Sequence, residues 1–193
     1  MYKDKKKNRK TYFLLCMLSA VLLCGCAEKR DTKEVPEAVP QEEEDTSTQA
    51  VTFEGRDIEG NEITSEIFSG SKLTMINVWA TYCNPCLREM PELGELAKEY
   101  DADEFQMYGV VSDVLEGQEE DVLEQVTSLI EETGADYPHL LLNESLYQGL
   151  LMNVTAVPTT FFLNQEGVVL DVVVGAKDKE GWKEKIDGLL EEL

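Results

Sequence analysis

The chain has 193 residues, which allows one domain of ordinary size plus additional segments. Its 39 acidic and 17 basic residues give a formal net charge of −22, which argues against nucleic-acid binding, where affinity comes largely from cations on phosphates. The plain reading of this acidity is solubility, and steering of a basic partner is the alternative.

The basic residues are unevenly placed. Lys3, Lys5, Lys6, Lys7, Arg9 and Lys10 crowd the start of the chain. Tyr12 to Leu23 is then mostly apolar, the length of a signal-peptide core and short of the roughly 20 residues a spanning helix needs. It ends in Leu22-Leu23-Cys24-Gly25-Cys26, which resembles the lipobox of bacterial lipoproteins. That resemblance implies that residues 1–25 are a signal peptide, that Cys26 carries lipid, and that Cys16 and Cys24 are lost on cleavage. An uncleaved N-terminal anchor helix is the alternative. Either way the positive end stays inside, and the rest of the chain lies on the extracytoplasmic face of the cell membrane.

Residues 26–50 are acidic, contain two prolines and no aromatic residue, and have no large aliphatic side chain but Val. Such a segment cannot bury enough surface to offset its ordering entropy, so it reads as a disordered tether. A flexible chain of that length spans roughly 25–30 Å.

Residues 51–193 have the periodicity of a folded domain. Val51 to Thr64 predicts a small hairpin with its turn near Gly60-Asn61. Leu73 to Trp79 is a nearly continuous apolar, β-branched run, as in a buried central strand. Helical spacing of Leu87, Met90, Leu93 and Leu96 predicts a helix from Cys83 to about Tyr100, with Pro91 kinking it. Phe105 to Val111 reads as a second strand, and Gln118 to Glu132 as an amphipathic helix stopped before Gly134. A short apolar segment at His139 to Leu142 and a short helix at Glu144 to Met152 follow. Thr159 to Leu163 pairs with Val168 to Val174 across a turn, and a last helix runs from about Asp178 to Glu192. This order predicts an α/β fold: a central mixed sheet with helices on both faces, preceded by a β-hairpin.

The domain holds Cys83 and Cys86 in a CxxC arrangement, a spacing shared by redox sites and metal sites. Structural zinc usually takes four Cys or His ligands, and the domain offers two Cys and the single His139, which reads as structural. Position favours redox chemistry. Cys83 opens a helix directly after a buried strand, where free backbone N–H groups and the helix dipole stabilise a thiolate. Pro85 suits the first helical turn, where a missing N–H costs nothing. No cofactor or metal beyond a Cys83–Cys86 disulfide is expected.

Trp79-Ala-Thr-Tyr-Cys83-Asn-Pro-Cys86 resembles the active site of the thioredoxin superfamily, and Val157-Pro158-Thr-Thr-Phe-Phe resembles its cis-proline segment. Cys86-Leu-Arg-Glu89-Met-Pro91 is similar to the TlpA/ResA branch of membrane-attached extracytoplasmic thioredoxins. The resemblance implies a thioredoxin-like fold over residues 51–193. It assigns Cys83 as nucleophile, Cys86 as resolving cysteine, and Trp79, Tyr82, Val157 and a cis Pro158 as substrate contacts. For Trp79, core packing is the alternative. Cytoplasmic thioredoxins carry a buried Asp where this chain has Asn77, which cannot titrate. Glu89, one turn beyond Cys86, is expected to take over as proton acceptor; a solvent-facing helix residue is the alternative.

The neutral pair Asn84-Pro85 stabilises a Cys83 thiolate less than a His-containing dipeptide would, which favours a reductase over an oxidase. The resemblance implies substrates among exported proteins: apocytochromes c, a methionine sulfoxide reductase or cell-envelope proteins. A membrane thiol carrier would supply electrons. Two other readings stay open at this point. One is a copper metallochaperone, although those on this fold use CxxxC and a distant His. The other is a binding module without catalysis.

Overall fold

The computed structural model describes residues 49–193, so the expected signal peptide, Cys16, Cys24, Cys26 and nearly all of the expected tether lie outside the described residues. The N-terminal hairpin pairs β1 (Glu54–Arg56) with β2 (Glu62–Thr64), Gly55 opposite Ile63. Gly60 at φ 87° supplies the left-handed residue that its turn requires.

The main sheet has five strands in the order β5-β4-β3-β6-β7. They are β3 (Leu73–Trp79), β4 (Phe105–Leu115), β5 (His139–Leu142), β6 (Thr159–Asn164) and β7 (Val169–Val174). β3, β4 and β5 run parallel, while β6 and β7 are antiparallel to their neighbours. β3 is central and every residue in it is buried, which is why its sequence is an unbroken apolar run rather than an alternating one.

Strand alternation splits β3 between two cores. Leu73, Met75 and Trp79 face one side with α1 (Asn84–Leu96), α2 (Glu120–Thr133) and α4 (Lys179–Glu192), through Met90, Leu93, Val126, Ile130, Trp182 and Ile186. Ile76 and Val78 face the other side, against Phe53, Phe68, Leu146, Leu150 and Leu151. The mixed sheet covered on both faces, and the hairpin before it, are as the sequence predicts. Among the described residues no helix is long and apolar enough to cross a membrane.

Several boundaries differ from expectation, each for a local reason. β4 continues to Leu115, past the predicted end at Val111. Its apolar pattern breaks at Ser112-Asp113, but the backbone pairs on, with Leu115 opposite Leu142 after a register shift. α1 stops at Leu96 rather than about Tyr100, because the Lys98 and Glu99 N–H groups bond to carbonyls three residues back and tighten the last turn. The predicted helix at Glu144 to Met152 divides into α3 (Glu144–Leu146), capped by the Asn143 side chain, and a π-helical turn over Tyr147–Leu151. A 3-10 helix at Ser65–Gly70 has no counterpart in the sequence reading; the Thr64 hydroxyl caps it and Phe68 anchors it in the core. α2 ends as predicted, with Gly134 in the left-handed conformation at φ 66°.

Candidate active site

Cys83 sits where β3 gives way to α1. Its backbone is extended (φ −85°, ψ 91°) and it N-caps the helix, with Pro85 in the first turn. The connecting loop is held from β4. The Asp113 carboxylate accepts from the Thr81 backbone N–H at 3.0 Å and from its hydroxyl at 2.5 Å, while the Ser112 hydroxyl donates to the Trp79 carbonyl at 2.8 Å. Cys83 N–H closes the turn on the Ala80 carbonyl at 3.0 Å.

Cys83 and Cys86 form a disulfide with their Cα atoms 5.3 Å apart. The Cys86 backbone N–H donates to Cys83 Sγ at 3.3 Å, so the sulfur occupies the position where a helix N-terminus stabilises negative charge. The two sulfurs are not equivalent: Cys83 keeps 5% of its surface exposed and Cys86 none. Next to Cys83, Tyr82 is 74% exposed. The Val157–Pro158 peptide bond is cis, and Val157 is half-buried. A cleft of about 260 Å³ runs between Tyr82 and Val157, lined also by Val78, Tyr147, Leu151 and Val154.

Glu89 does not face solvent. It is buried, one helical turn past Cys86 on the same helix. One carboxylate oxygen, Oε1, accepts from Asn77 Nδ2 at 3.2 Å. The other, Oε2, accepts from the Lys177 backbone N–H at 3.2 Å and the Trp182 indole N–H at 3.3 Å. Burial pushes the Glu89 carboxyl up to about 7, against the pull of these three hydrogen bonds, and repulsion from Glu92 adds to the rise. A carboxyl held there changes protonation near neutral pH, as a proton acceptor for a thiol must.

Trp79 is fully buried rather than beside the sulfur at the surface, so of its two expected roles packing is the one that its position fits. Its indole N–H donates to His139 Nδ1 at 3.1 Å, and His139 Nε2 bonds to the Ala135 carbonyl at 2.9 Å. Both ring nitrogens are therefore engaged, in the neutral form with the proton on Nε2, and burial lowers the His139 pKa to about 4. The contact crosses β4 at Gly109, which lies opposite His139 in the sheet; a side chain there would collide with the imidazole ring.

The sequence reading missed three participants. They are Trp182, Thr160 and Asp113, the last lying beyond the predicted end of its strand at Val111. Asn77 and Thr160 are direct cross-strand partners on β3 and β6, and strand pairing is the signal that would have placed them together. Among the described residues no group of three or more His, Cys, Asp or Glu side chains could hold a metal ion.

Residues 46–172 match the AhpC/TSA family. The chain is similar to the thioredoxin-like protein YneN of Bacillus subtilis (strain 168), with 31% identity over 139 residues, covering 72% of this chain and 77% of that one. It is 28% identical over 145 residues to the thiol-disulfide oxidoreductase ResA of Bacillus anthracis, covering 75% of this chain and 76% of the relative. Among solved structures, a thioredoxin-family thiol:disulfide interchange protein from Chlorobium tepidum TLS superposes with a TM-score of 0.62 at 23% identity, covering 75% of this chain and 97% of its own; this likeness speaks to the fold. With a cysteine pair joined at the head of α1, on a sheet of this order, the chain belongs to the AhpC/TSA family and is a thioredoxin-like thiol-disulfide oxidoreductase of the ResA type.

Proposed function

We propose that this oxidoreductase is a disulfide reductase of exported proteins, tethered to the extracytoplasmic face of the cell membrane through lipidated Cys26. The observation that carries the chemical part is the asymmetry of the pair: Cys83 keeps 5% of its surface exposed, while Cys86 has none and lies one helical turn from the buried Glu89.

In this reading the Cys83 thiolate attacks one sulfur of a substrate disulfide. That S–S bond breaks, the leaving thiolate takes a proton from solution, and a mixed disulfide joins Cys83 to the substrate. Cys86 then loses its proton to Glu89 and attacks Cys83 Sγ. The mixed disulfide breaks, the second substrate thiolate leaves and is protonated, and Cys83–Cys86 is left oxidised. Two electrons pass to the substrate, and a membrane thiol carrier returns them to the pair. Exposed Tyr82, next to Cys83 in the chain, and Val157 at the cis Pro158 border one cleft, which suits an extended substrate chain.

The direction of electron flow rests on the neutral, exposed Asn84-Pro85 dipeptide. The location rests on the basic start, the apolar run and the Leu-Leu-Cys-Gly-Cys26 sequence. The enzyme's substrates fall among apocytochromes c, a methionine sulfoxide reductase and envelope proteins. A copper-carrying role is disfavoured by the occupation of both His139 ring nitrogens.

The test is a thiol trap in cells with Cys86→Ser. Stable mixed disulfides through Cys83, absent in Cys83→Ser/Cys86→Ser, are the expected result. If Cys86→Ser captures nothing while the purified protein remains folded, the reductase reading is wrong.

A further inference from the structure

Every polar group that touches Glu89 is a hydrogen-bond donor. Asn77 Nδ2 meets Oε1, and the Lys177 N–H and the Trp182 indole meet Oε2. This shell is complete for a carboxylate, which only accepts. It is wrong for a carboxylic acid, whose O–H would point at one of these donors with no acceptor among them.

Two of the three donors cannot change. A backbone N–H and an indole N–H have no acceptor to offer. Asn77 can, because its amide carries N–H groups on one side and a carbonyl oxygen on the other. Its present orientation is also half-used. Nδ2 donates both to Glu89 Oε1 and, at 3.1 Å, to Thr160 Oγ1, while Oδ1 is buried with no partner. A half-turn of the amide would bring Oδ1, with its two lone pairs, to face Glu89 and Thr160. The Thr160 hydroxyl can turn from acceptor to donor in place. One side of the amide is unpaired in either orientation, so the charge on Glu89 decides between them.

We propose that Asn77 is a positioning residue of the thiol–disulfide reaction: its amide turns over between Glu89 and Thr160 as Glu89 takes and releases the Cys86 proton. This rests on Glu89 being the proton acceptor. In the step itself the Cys86 S–H bond breaks and a Glu89 O–H bond forms, leaving a thiolate and a neutral acid. The turned amide gives that new O–H its acceptor, and turning back restores the donor when the proton leaves to solvent. An Asn that cannot titrate thereby serves a proton transfer between two groups that do.

The titratable groups around the pair are few. α1 contributes Cys86 and Glu92, and the segment before β5 contributes Tyr137, whose buried hydroxyl lies within the influence of the Glu89 charge. The segment before α4 contributes Lys177, whose ammonium stands 6.0 Å from the centre of the Trp182 ring. β3, β6 and α4 contribute Asn77, Thr160 and Trp182, which do not titrate. A single midpoint shared by Glu89 and the Asn77 amide is therefore readable.

The experiment is side-chain NMR on the full chain, labelled with 15N and 13C and held as the dithiol, from pH 5 to 9. The Asn77 amide protons are expected to show cross-peaks to the Glu89 methylene and the Thr160 side chain at high pH. These should be lost at low pH with the midpoint of the Glu89 carboxyl carbon. Cross-peaks that persist unchanged while Glu89 titrates would overturn the Asn77 assignment and leave Glu89 as acceptor. If Glu89→Gln leaves the Cys86 pKa unmoved, the reading beneath fails, and the role of Asn77 in the reaction fails with it.

Discussion

The indole N–H of Trp182 donates to Glu89 Oε2 at 3.3 Å, joining the last helix to the buried acid across 93 residues of sequence. α4 thus holds the Glu89 carboxylate and is not only a cover for the sheet. Trp182→Phe keeps the ring and removes the donor. A hydrogen bond to a charged group contributes about 1.5–3 kcal/mol, so the Glu89 carboxyl should rise by about a unit or more above its present value near 7. The pH dependence of Cys86 alkylation in the two proteins measures this. An unchanged midpoint in a folded Trp182→Phe would deny the indole any hold on the carboxylate.

Glu89 and His139 should push stability in opposite directions as pH changes. Glu89 is raised from 4.5 to about 7 in the fold, so the native state holds its proton longer than the unfolded chain does. Its contribution is fully present below about pH 4.5 and is lost as pH rises through 7. His139 is lowered from 6.5 to about 4, so the unfolded chain binds the proton first. Its contribution is present above 6.5 and is lost as pH falls through 4. Between about 4.5 and 6.5 the two slopes offset one another. Urea unfolding should therefore give a steeper rise of stability with pH in Glu89→Gln than in the wild type. A steeper fall is expected in His139→Leu. The parent's dependence should lie between the two, and identical slopes in all three proteins would refute the assignment. His139→Leu also strands the buried Trp79 N–H, at a cost of about 1–3 kcal/mol at neutral pH.

Gly109→Ala tests the same contact from the other side. The added methyl would meet the His139 ring, which is pinned at both nitrogens and cannot swing away. Overpacking of this kind costs about 1–3 kcal/mol. Chemical denaturation should show a lower midpoint. A neutral effect would mean that the ring is less fixed than its two hydrogen bonds imply.

Asp113→Asn keeps the size of the side chain but weakens its grip on Thr81, whose N–H and hydroxyl both bond to the carboxylate. The loop that carries Cys83 should loosen with little change in global stability, since Asp113 is exposed. Slower reaction of reduced Cys83 with a disulfide probe, at an unchanged unfolding midpoint, is the expected pair of results.

Local chemistry made much of this molecule readable. β3 was visible because a strand buried on both faces is apolar throughout, and the end of α2 because Gly134 takes a left-handed conformation. The hairpin turn at Gly60 has the same origin. At the site, Cys83, Cys86 and the cis bond before Pro158 follow from short motifs, and the i, i+3 spacing put Glu89 on the face of Cys86. What surrounds Glu89 could not be read that way. Asn77, Thr160, Lys177 and Trp182 come from β3, β6, the β7–α4 connection and α4, and only the register of the sheet and the docking of α4 bring them together. The burial of Glu89 was likewise undecided, because a single acidic residue on an amphipathic helix does not reveal which neighbours cover it.

The central place of β3 has a consequence for how the enzyme comes into being. A chain made from its N-terminus presents Cys83 and Cys86 long before β6, which must pair with β3, and α4, which closes over Glu89. During that interval the two cysteines are ordinary thiols on an incomplete sheet, open to pairing with whatever oxidant or neighbouring chain is at hand. The hydrogen bonds that hold Glu89 cannot be complete until Lys177 and Trp182 are in place. A molecule truncated before Trp182 should therefore lack the indole donor to Glu89, and the pH dependence of its Cys83–Cys86 oxidation near neutrality should differ from that of the full chain.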